Sequence, residues 1–562
     1  MAGVQSPIPG VVYMPEEDLA RYEAKGIFGK ETLIGAYRHM FAFAGGRTAL
    51  SGSGLTISYA ELDDITNRGA AGLWRLGLRP TDRVLFQMRN CLELVYAFLS
   101  CLKIGVIPVC TLAAHREAEI GYIGNHAGAK AHFVHGDDSR FDTVAFAQEM
   151  ACRIPSVSHI ITVRGIGEPA TGTLAFEALI ASEDSAEARG LIEGMTHDPY
   201  QVAVFQLSGG TSGIPKIIPR FSNEYLYAMR SVIDLIGIDH DTVTFTPNPF
   251  MHNAPMACFW GPTLLSGGEV VIADGPSLVD IEAALAARRP NWIALAKVHM
   301  LRLIENGVTQ RLTFDNVRAF AVPDSARQLS AMVGAPCVPM YGMTEGLLGF
   351  AVPGDPDETI EFTVGRSTSP HDEIRIVRPG TEDDLPDGET GELLVRGPST
   401  IRGYFDAPER DVEAFTADGF YRSGDLMSWR IVEGVRNLVF NGRVKDVIDR
   451  GGEKINCGEV ELAISRHPSI GAVACVAMPD PLYGERMCAF IVLREDASEV
   501  TLSQLAEHLT HEGLSKFKWP ERIELVSDLP ATTSGKVSKP LMREIIAAKL
   551  QTERAAILPA SV

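Results

Sequence analysis

The sequence predicts an α/β protein with a large N-terminal domain of mainly parallel sheets covered by helices, a β-rich subdomain, and a small α+β C-terminal domain. Three observations predict it. Short apolar runs at residues 83–87, 106–110 and 131–134 alternate with segments of helical periodicity, the pattern of a parallel sheet covered on both faces. After about Pro379 the texture changes to turn-punctuated strands, such as residues 393–396 after the Asp387-Gly388-Glu389-Thr390-Gly391 turn. From about Asp446 a last unit carries helix signals at residues 459–467 and 502–512. A chain of 562 residues has room for this many parts and for a large core.

Taken in order, residues 48–59 read as a hairpin, and Ser58-Tyr59-Ala60-Glu61 opens a helix that runs to about Leu76. Residues 83–87 form a strand, 91–103 a helix and 106–110 a strand. The stretch 94–112 is the most apolar, but Lys103, Gly105 and Pro108 break it into helix and strand, which argues against a membrane span there. An apolar run at 202–207 reads as a buried strand, and Ser266-Gly267-Gly268 precedes a strand at 269–273. No internal repeat or low-complexity tract is visible.

Composition narrows the function. A formal net charge of −20 argues against a general nucleic-acid surface. Nine cysteines without C-x-x-C pairs or zinc spacing read as reduced thiols. The first fifteen residues lack a basic-then-apolar export signal, so a cytoplasmic protein with no membrane partner is expected.

The chemistry starts at Ser208-Gly209-Gly210-Thr211-Ser212-Gly213-Ile214-Pro215-Lys216. Three glycines in this short run permit close backbone approach, successive N–H groups form an anion concavity, the hydroxyls add donors and Lys216 adds charge. The segment is not a Walker A loop, because a proline precedes the lysine and no Ser or Thr follows it. The alternative for the segment alone is an ordinary Ser/Gly turn between two elements. Tyr341-Gly342-Met343-Thr344-Glu345 follows an apolar strand at 337–340, and its hydroxyl and carboxylate suit Mg²⁺ shared with substrate phosphates. Tyr421-Arg422-Ser423-Gly424-Asp425 is read as a turn whose carboxylate accepts from two ribose hydroxyls. Gly442-Arg443-Val444-Lys445 leads into a charged, glycine-punctuated passage that includes Arg450-Gly451-Gly452-Glu453-Lys454-Ile455. Thr533-Ser534-Gly535-Lys536-Val537 puts one lysine on a turn.

In this order the segments resemble the adenylate-forming superfamily of acyl-CoA synthetases, peptide-synthetase adenylation domains and luciferases, from about residue 15 to about residue 550. The resemblance implies ATP and Mg²⁺, with ATP held by Ser208, Gly209, Gly210, Thr211, Ser212, Gly213, Lys216, Tyr341, Asp425 and Arg443. It implies catalytic roles for Lys536, Glu345 and Thr344, Mg²⁺ at Glu345, and a hinge at Lys445 between an adenylation core (1–444, β-rich at about 380–440) and a mobile domain (445–562).

A narrower resemblance, to stand-alone ligases that activate 2,3-dihydroxybenzoate or salicylate, is carried by Phe205-Gln206-Leu207, Met251-His252-Asn253, Gly342–Leu347 and the Arg450 passage. It implies an acid site at His252, Asn253, Ala254, Cys258, Asp324, Ser325 and Gly349, with Asn253 on the acid's ortho hydroxyl. Ala254 stands where tyrosine is common, Cys258 where serine is common, and Val322-Pro323-Asp324-Ser325-Ala326 replaces a Gly-Gly-Ala segment. Ala254 is expected to enlarge the site, and Asp324 either puts a carboxylate near its floor or merely turns a loop. The implied acceptor is a phosphopantetheine thiol on a separate carrier protein, since little chain follows Lys536, or free coenzyme A. A β-amino acid or heteroaryl acid substrate, an oxygenase role and a non-enzymatic adenylate binder are the other readings. The last predicts loss of Lys536 or Glu345, and both are present.

Overall fold

The computed structural model describes residues 4–165, 167–208, 215–450, 453–495, 497–532 and 537–557. They divide into two compact units. Met1–Ile374, Val395–Tyr421 and Ile431–Asn437 make the first; Arg375–Leu394, Arg422–Arg430 and Leu438–Val562 make the second.

In chain order the strands that build the first unit's sheets are β1 Thr48–Gly52, β2 Leu55–Ser58, β3 Arg83–Gln87, β4 Ile107–Val109, β5 Ala131–His135, β6 His159–Val163, β7 Thr173–Ala175 and β8 Val202–Ser208. They continue with β9 Lys216–Phe221, β10 Val243–Phe245, β11 Glu269–Val271, β12 Trp292–Ala294, β13 Ala319–Val322, β14 Cys337–Gly342, β15 Leu348–Phe350 and β16 Arg366–Ser367. One sheet has the order β7-β6-β5-β3-β4-β8-β9 and is parallel except for the β8/β9 pair. The other has the order β16-β15-β14-β13-β12-β10-β11-β1-β2 and is parallel from β14 through β1, with antiparallel pairs at both edges. The alternation predicted from the sequence is therefore present, and its parallel strands are short and largely buried, with apolar centres such as Val84-Leu85-Phe86.

The helices start where their caps stand. Helix Tyr59–Arg75 begins after Ser58, whose side chain and that of Glu61 form a reciprocal capping box. Helix Leu92–Lys103 follows Cys91 and is buried along its whole length. One hydrophobic core joins residues of both sheets, among them Phe86, Phe98, Phe133, Trp260 and Trp292. Phe98 meets Trp260 edge-to-face at 5.3 Å, an arrangement worth about 0.5–1.5 kcal/mol beyond area burial.

The β-rich segment is a four-stranded sheet of Glu373–Val377, Gly391–Arg396, Tyr421–Val432 and Val435–Arg443, in that order. In the second unit Val447–Arg450, Glu453–Asn456, Ile470–Asp480, Gly484–Leu493 and Arg522–Leu525 form a sheet beside helices Cys457–Ser465, Leu502–His511 and Lys539–Ile557. Ile448, Ile455, Val460, Ile464, Met487, Ile491 and Leu505 close its own core. No helix among the described residues is long and apolar enough to cross a membrane. Cys152 is exposed and the other cysteines are buried; all are free thiols.

Candidate functional site

Strands β8 and β9 form a hairpin in which Ser208 pairs with Lys216. Gly209, Gly210, Thr211, Ser212 and Gly213 lie outside the described residues. Ser208 Oγ, on the last residue of β8, is buried with no hydrogen-bond partner among the described residues. Lys216 Nζ lies 3.1 Å from the Tyr404 hydroxyl and 4.3 Å from that ring's centre.

Strand β14 carries Tyr341 and Gly342 as its last residues, and Thr344 and Glu345 turn off its end. Arg220 is almost wholly buried, and its Nη1 donates to the Thr344 carbonyl at 2.7 Å while its fork grips Glu224. The Glu345 carbonyl accepts from Ile401 N–H at 2.9 Å. Gly346 has φ +152°, and a Cβ there would stand 2.6 Å from the Ser399 carbonyl oxygen, so the turn requires glycine.

These anchors hold the Glu345 side chain in a buried position, where Oε1 accepts from the Tyr404 hydroxyl at 3.0 Å. Tyr404 has one proton. Spent on Glu345, it leaves the oxygen to accept from Lys216 and from Tyr421, whose hydroxyl lies 3.0 Å away. Burial, then the neighbouring Glu345 charge, raises the Tyr404 pKa well above the ordinary tyrosine value, so it stays a donor. The structure thus brings together two segments far apart in sequence: the lysine closing the glycine-rich loop and the candidate metal carboxylate. A buried carboxylate with a neighbouring threonine fits Mg²⁺, which takes one or two protein carboxylates and draws its other ligands from water and phosphates. No cluster of three His, Cys, Asp or Glu that could cage a metal occurs among the described residues.

Some acid-site candidates fall after the carboxyl ends of central-sheet strands, Asp324 and Ser325 after β13 among them. The chain leaves β10 for β11 on one side, whereas β12, on the other side, continues to β13 and β14. Open α/β sheets form their ligand crevice at such a reversal. His252 and Asn253 follow β10 there. Asn253 starts a helical run Asn253–Pro255 that widens into a π turn, Met256–Trp260, before Gly261–Leu265. Single π turns of this kind concentrate at functional sites. Gly261 N–H closes the wide turn onto the Met256 carbonyl, and a Cβ on Gly261 would stand 2.4 Å from that oxygen.

Asn253 is buried, with Oδ1 accepting from Tyr225 at 2.8 Å. Ala254 is half-buried. Cys258 is fully buried, and burial pushes its thiol pKa up. Gly349 on β15 pairs directly with Tyr341. Ser325 has φ +59° at the start of helix Ala326–Val333. Asp324 is exposed, and Lys297 Nζ contacts it at 2.7 Å and Ser325 Oγ at 2.9 Å. Its carboxylate is therefore an exposed, compensated charge rather than a buried unpaired one.

In the second unit, Asp425 lies within strand Tyr421–Val432 rather than on the turn that the sequence suggested. Within that strand Gly424 takes φ +69°, and Arg443 Nε meets the largely buried Asp425 carboxylate at 3.1 Å. Lys445 sits in the 3₁₀ turn Val444–Asp446, where its carbonyl accepts from Arg543 at 2.9 Å. Lys536 lies outside the described residues.

A family model described as AMP-binding enzyme matches residues 38–405, and one described as AMP-binding enzyme C-terminal domain matches residues 459–536. The chain belongs to the AMP-binding enzyme family. It is 35% identical over 555 residues, covering 97% of this chain and 99% of the relative, to the 2,3-dihydroxybenzoate-AMP ligase of Bacillus subtilis. It is 36% identical over 559 residues to a Streptomyces salicylyl-CoA synthase / salicylate adenylyltransferase, at 97% and 99% coverage. Among solved structures, apo MbtA of Mycobacterium smegmatis matches with a TM-score of 0.71 and 32% identity, covering 95% of this chain and 98% of that one. An anthranilate CoA ligase bound to anthranoyl-AMP, at TM-score 0.80 but 20% identity, shares the fold. The resemblance to adenylate-forming enzymes is borne out.

Within this AMP-binding enzyme, sequence reading missed Tyr404, Arg220 and Tyr225. A lone tyrosine in Ile401-Arg402-Gly403-Tyr404-Phe405 reads as core packing. Arg220 lies near the end of β9 and Glu224 in the first turn of the next helix, and both are buried as an ion pair that no local sequence pattern marks. Only Tyr225 had a signal: it lies on the amphipathic helix just after the loop hairpin.

Proposed function

We propose that this enzyme activates an aromatic carboxylic acid bearing an ortho hydrogen-bonding substituent and passes it to a phosphopantetheine thiol on a separate carrier protein, in siderophore or peptide natural-product biosynthesis. The observation that carries the reading is the Lys216–Tyr404–Glu345 linkage, which couples the strand leaving the glycine-rich loop to the candidate Mg²⁺ carboxylate. The relatives named for 2,3-dihydroxybenzoate and salicylate support the acid class.

In the first step an acid carboxylate oxygen attacks the α-phosphorus of ATP, the bond to the β-phosphate oxygen breaks and pyrophosphate leaves. Negative charge grows on the phosphoryl oxygens, so positioned cations are the available levers. Ser208 through Gly213 and Lys216 hold the β- and γ-phosphates, Tyr341 packs the adenine, and Asp425, flanked by Arg443, accepts from the ribose hydroxyls. Lys536 pairs with the reacting oxygens. Glu345, beside Thr344, would hold Mg²⁺, which would supply positive charge to the phosphates. His252, Asn253, Ala254, Cys258 and Gly349 receive the acid. In the second step the thiol sulfur attacks the acyl carbon and AMP leaves. Residues 1–444 serve as the adenylation core and 445–562 as the domain that changes between the steps, in a cytoplasmic enzyme.

A second reading, with free coenzyme A as acceptor, is favoured by the salicylyl-CoA synthase relative. The test is pyrophosphate exchange across aromatic, heteroaromatic and amino acids, followed by competition between coenzyme A and a phosphopantetheinylated carrier. Exchange driven by an ortho-substituted aryl acid, with acyl-carrier preferred over acyl-CoA, is expected. Exchange only with aliphatic or amino acids would overturn the acid class, and efficient acyl-CoA formation without a carrier would reverse the acceptor.

A further inference from the structure

Asn253 does not choose its own orientation. Gln206 on β8 is fully buried, and its Nε2 donates to the Tyr225 hydroxyl at 3.3 Å and lies 3.4 Å from Met256 Sδ. Tyr225, also fully buried, donates to Asn253 Oδ1 at 2.8 Å. Burial raises the Tyr225 pKa well above its ordinary value, which keeps that single proton in place. The chain of bonds therefore has a direction: amide N–H to phenol, phenol to amide oxygen. With Oδ1 occupied, Asn253 keeps Nδ2, a donor, as the end left for anything else. Gln206 Oε1 is a buried acceptor with no partner among the described residues, so the glutamine gains no second bond by flipping toward a protein donor.

We propose that Gln206 and Tyr225 set the enzyme's choice of ortho substituent: they lock Asn253 as a donor, so the site selects an ortho hydroxyl over an ortho amino group. This rests on the reading that Asn253 touches the acid. In a 2-hydroxybenzoate the phenolic proton is held by the adjacent carboxylate, and the oxygen turns its lone pairs outward to meet Nδ2. In a 2-aminobenzoate one N–H bonds the carboxylate, the other N–H points outward, and the nitrogen lone pair is delocalised into the ring. Two donors then face each other, and a buried donor left unpaired costs about 1–3 kcal/mol. Gln206 and Tyr225 act through Asn253 and are positioning residues.

The test reads kcat/KM for 2-hydroxybenzoate over that for 2-aminobenzoate by pyrophosphate exchange, in wild type, Gln206→Glu and Tyr225→Phe. Because both acids are measured on one preparation, a partly folded sample cancels from the ratio. Gln206→Glu offers only acceptors when ionised; Tyr225 then donates to the introduced carboxylate, Asn253 gives Nδ2 to the phenol, and Oδ1 faces the acid. Tyr225→Phe releases the amide to rotate. The expected result is a wild-type ratio above about tenfold that falls by at least about tenfold in both variants, carried mainly by KM. A ratio unchanged within about twofold in Tyr225→Phe, with wild type active on either benzoate, overturns the relay and leaves the aryl-acid reading standing. Wild type inactive on both benzoates but active on another acid class overturns the aryl-acid reading, and this inference with it.

Discussion

The Tyr404 hydroxyl donates to the Glu345 carboxylate at 3.0 Å, and the same oxygen accepts from Lys216 at 3.1 Å. One phenol thus lies between a cation and an anion, and each meets a group that cannot ionise at neutral pH. Tyr404→Phe keeps the ring over which Lys216 lies and deletes only the oxygen. It is expected to fold, to lower kcat/KM for MgATP about 10–100-fold, and to raise the Mg²⁺ concentration needed for half activity. Pyrophosphate exchange at varied MgATP checks this; a change within about twofold would remove Tyr404 from the site.

Lys536→Ala is expected to abolish nearly all adenylate formation while leaving thiol transfer from a supplied aryl-adenylate largely intact. A charge placed on the reacting oxygens contributes in the transition state more than in ground-state binding. Pyrophosphate exchange within about twofold of wild type, the scale of surface-substitution effects of about 0.5 kcal/mol, contradicts it.

Lys445 stands between Arg443, which contacts Asp425, and Asp446, which Arg543 grips at 2.5 Å. A change of torsion at this position is therefore bounded on both sides by ion pairs. Lys445→Pro fixes φ near about −65° and is expected to harm one half-reaction several-fold more than the other. Equal losses in adenylation and thiol transfer, in a folded variant, argue against a hinge here.

Asp372 gives a pH prediction. This residue is half-buried; its carboxylate accepts from Ser367 Oγ at 2.6 Å and abuts Gly397, and burial pushes its pKa from 3.8 up to about 7. Between these two values the folded state holds a proton that the unfolded chain has lost. The stabilising contribution is whole below about pH 4 and is lost as pH rises to about 7. Asp372→Asn cannot ionise, so its melting temperature relative to wild type should rise between pH 5 and pH 8, by about 2–4 °C for each kcal/mol relieved. A pH-independent difference would mean that the carboxyl is ionised throughout.

What the sequence disclosed was local. β3 and β8 were legible because each holds a short run of apolar residues, Val84-Leu85-Phe86 and Val202-Ala203-Val204-Phe205, and helix Tyr59–Arg75 because Ser58 and Glu61 announce its cap. Asp425 was misplaced on a turn because Ser423-Gly424-Asp425 has turn composition, and only pairing with neighbouring strands overrides that preference. Tyr404 was not legible because its role consists of two contacts, 59 and 188 residues away along the chain. Gln206 was read as part of a family pattern, but its bond to Tyr225 exists only once the β8/β9 hairpin has folded back.

The departures from the ligase pattern make the last prediction. Ala254 removes a ring's volume beside buried Asn253, and contacts that a small benzoate cannot make are lost outright. Asp324 was a candidate to put a carboxylate near the floor of the acid site, where it would favour a hydrogen-bond donor on the acid. Exposed and already compensated by Lys297 at 2.7 Å, it has little left to offer a substrate, since exposed pairs contribute about 0–1 kcal/mol. Asp324→Ala is therefore expected to leave the ranking of acids unchanged, with each kcat/KM within about threefold of wild type. Ala254→Tyr is expected to shift the ranking toward the smallest acids, by about tenfold or more, through steric exclusion of the larger ones. The panel is salicylate, 2,3-dihydroxybenzoate, 3-hydroxyanthranilate and a bicyclic hydroxy-heteroaryl acid, compared by kcat/KM in wild type and both variants. A wild type that prefers the bicyclic acid, together with an Ala254→Tyr variant that prefers salicylate, establishes position 254 as the gauge of substrate size. If Asp324→Ala alone reorders the panel, the carboxylate leaves Lys297 when the acid binds, and its charge rather than the missing ring selects the substrate.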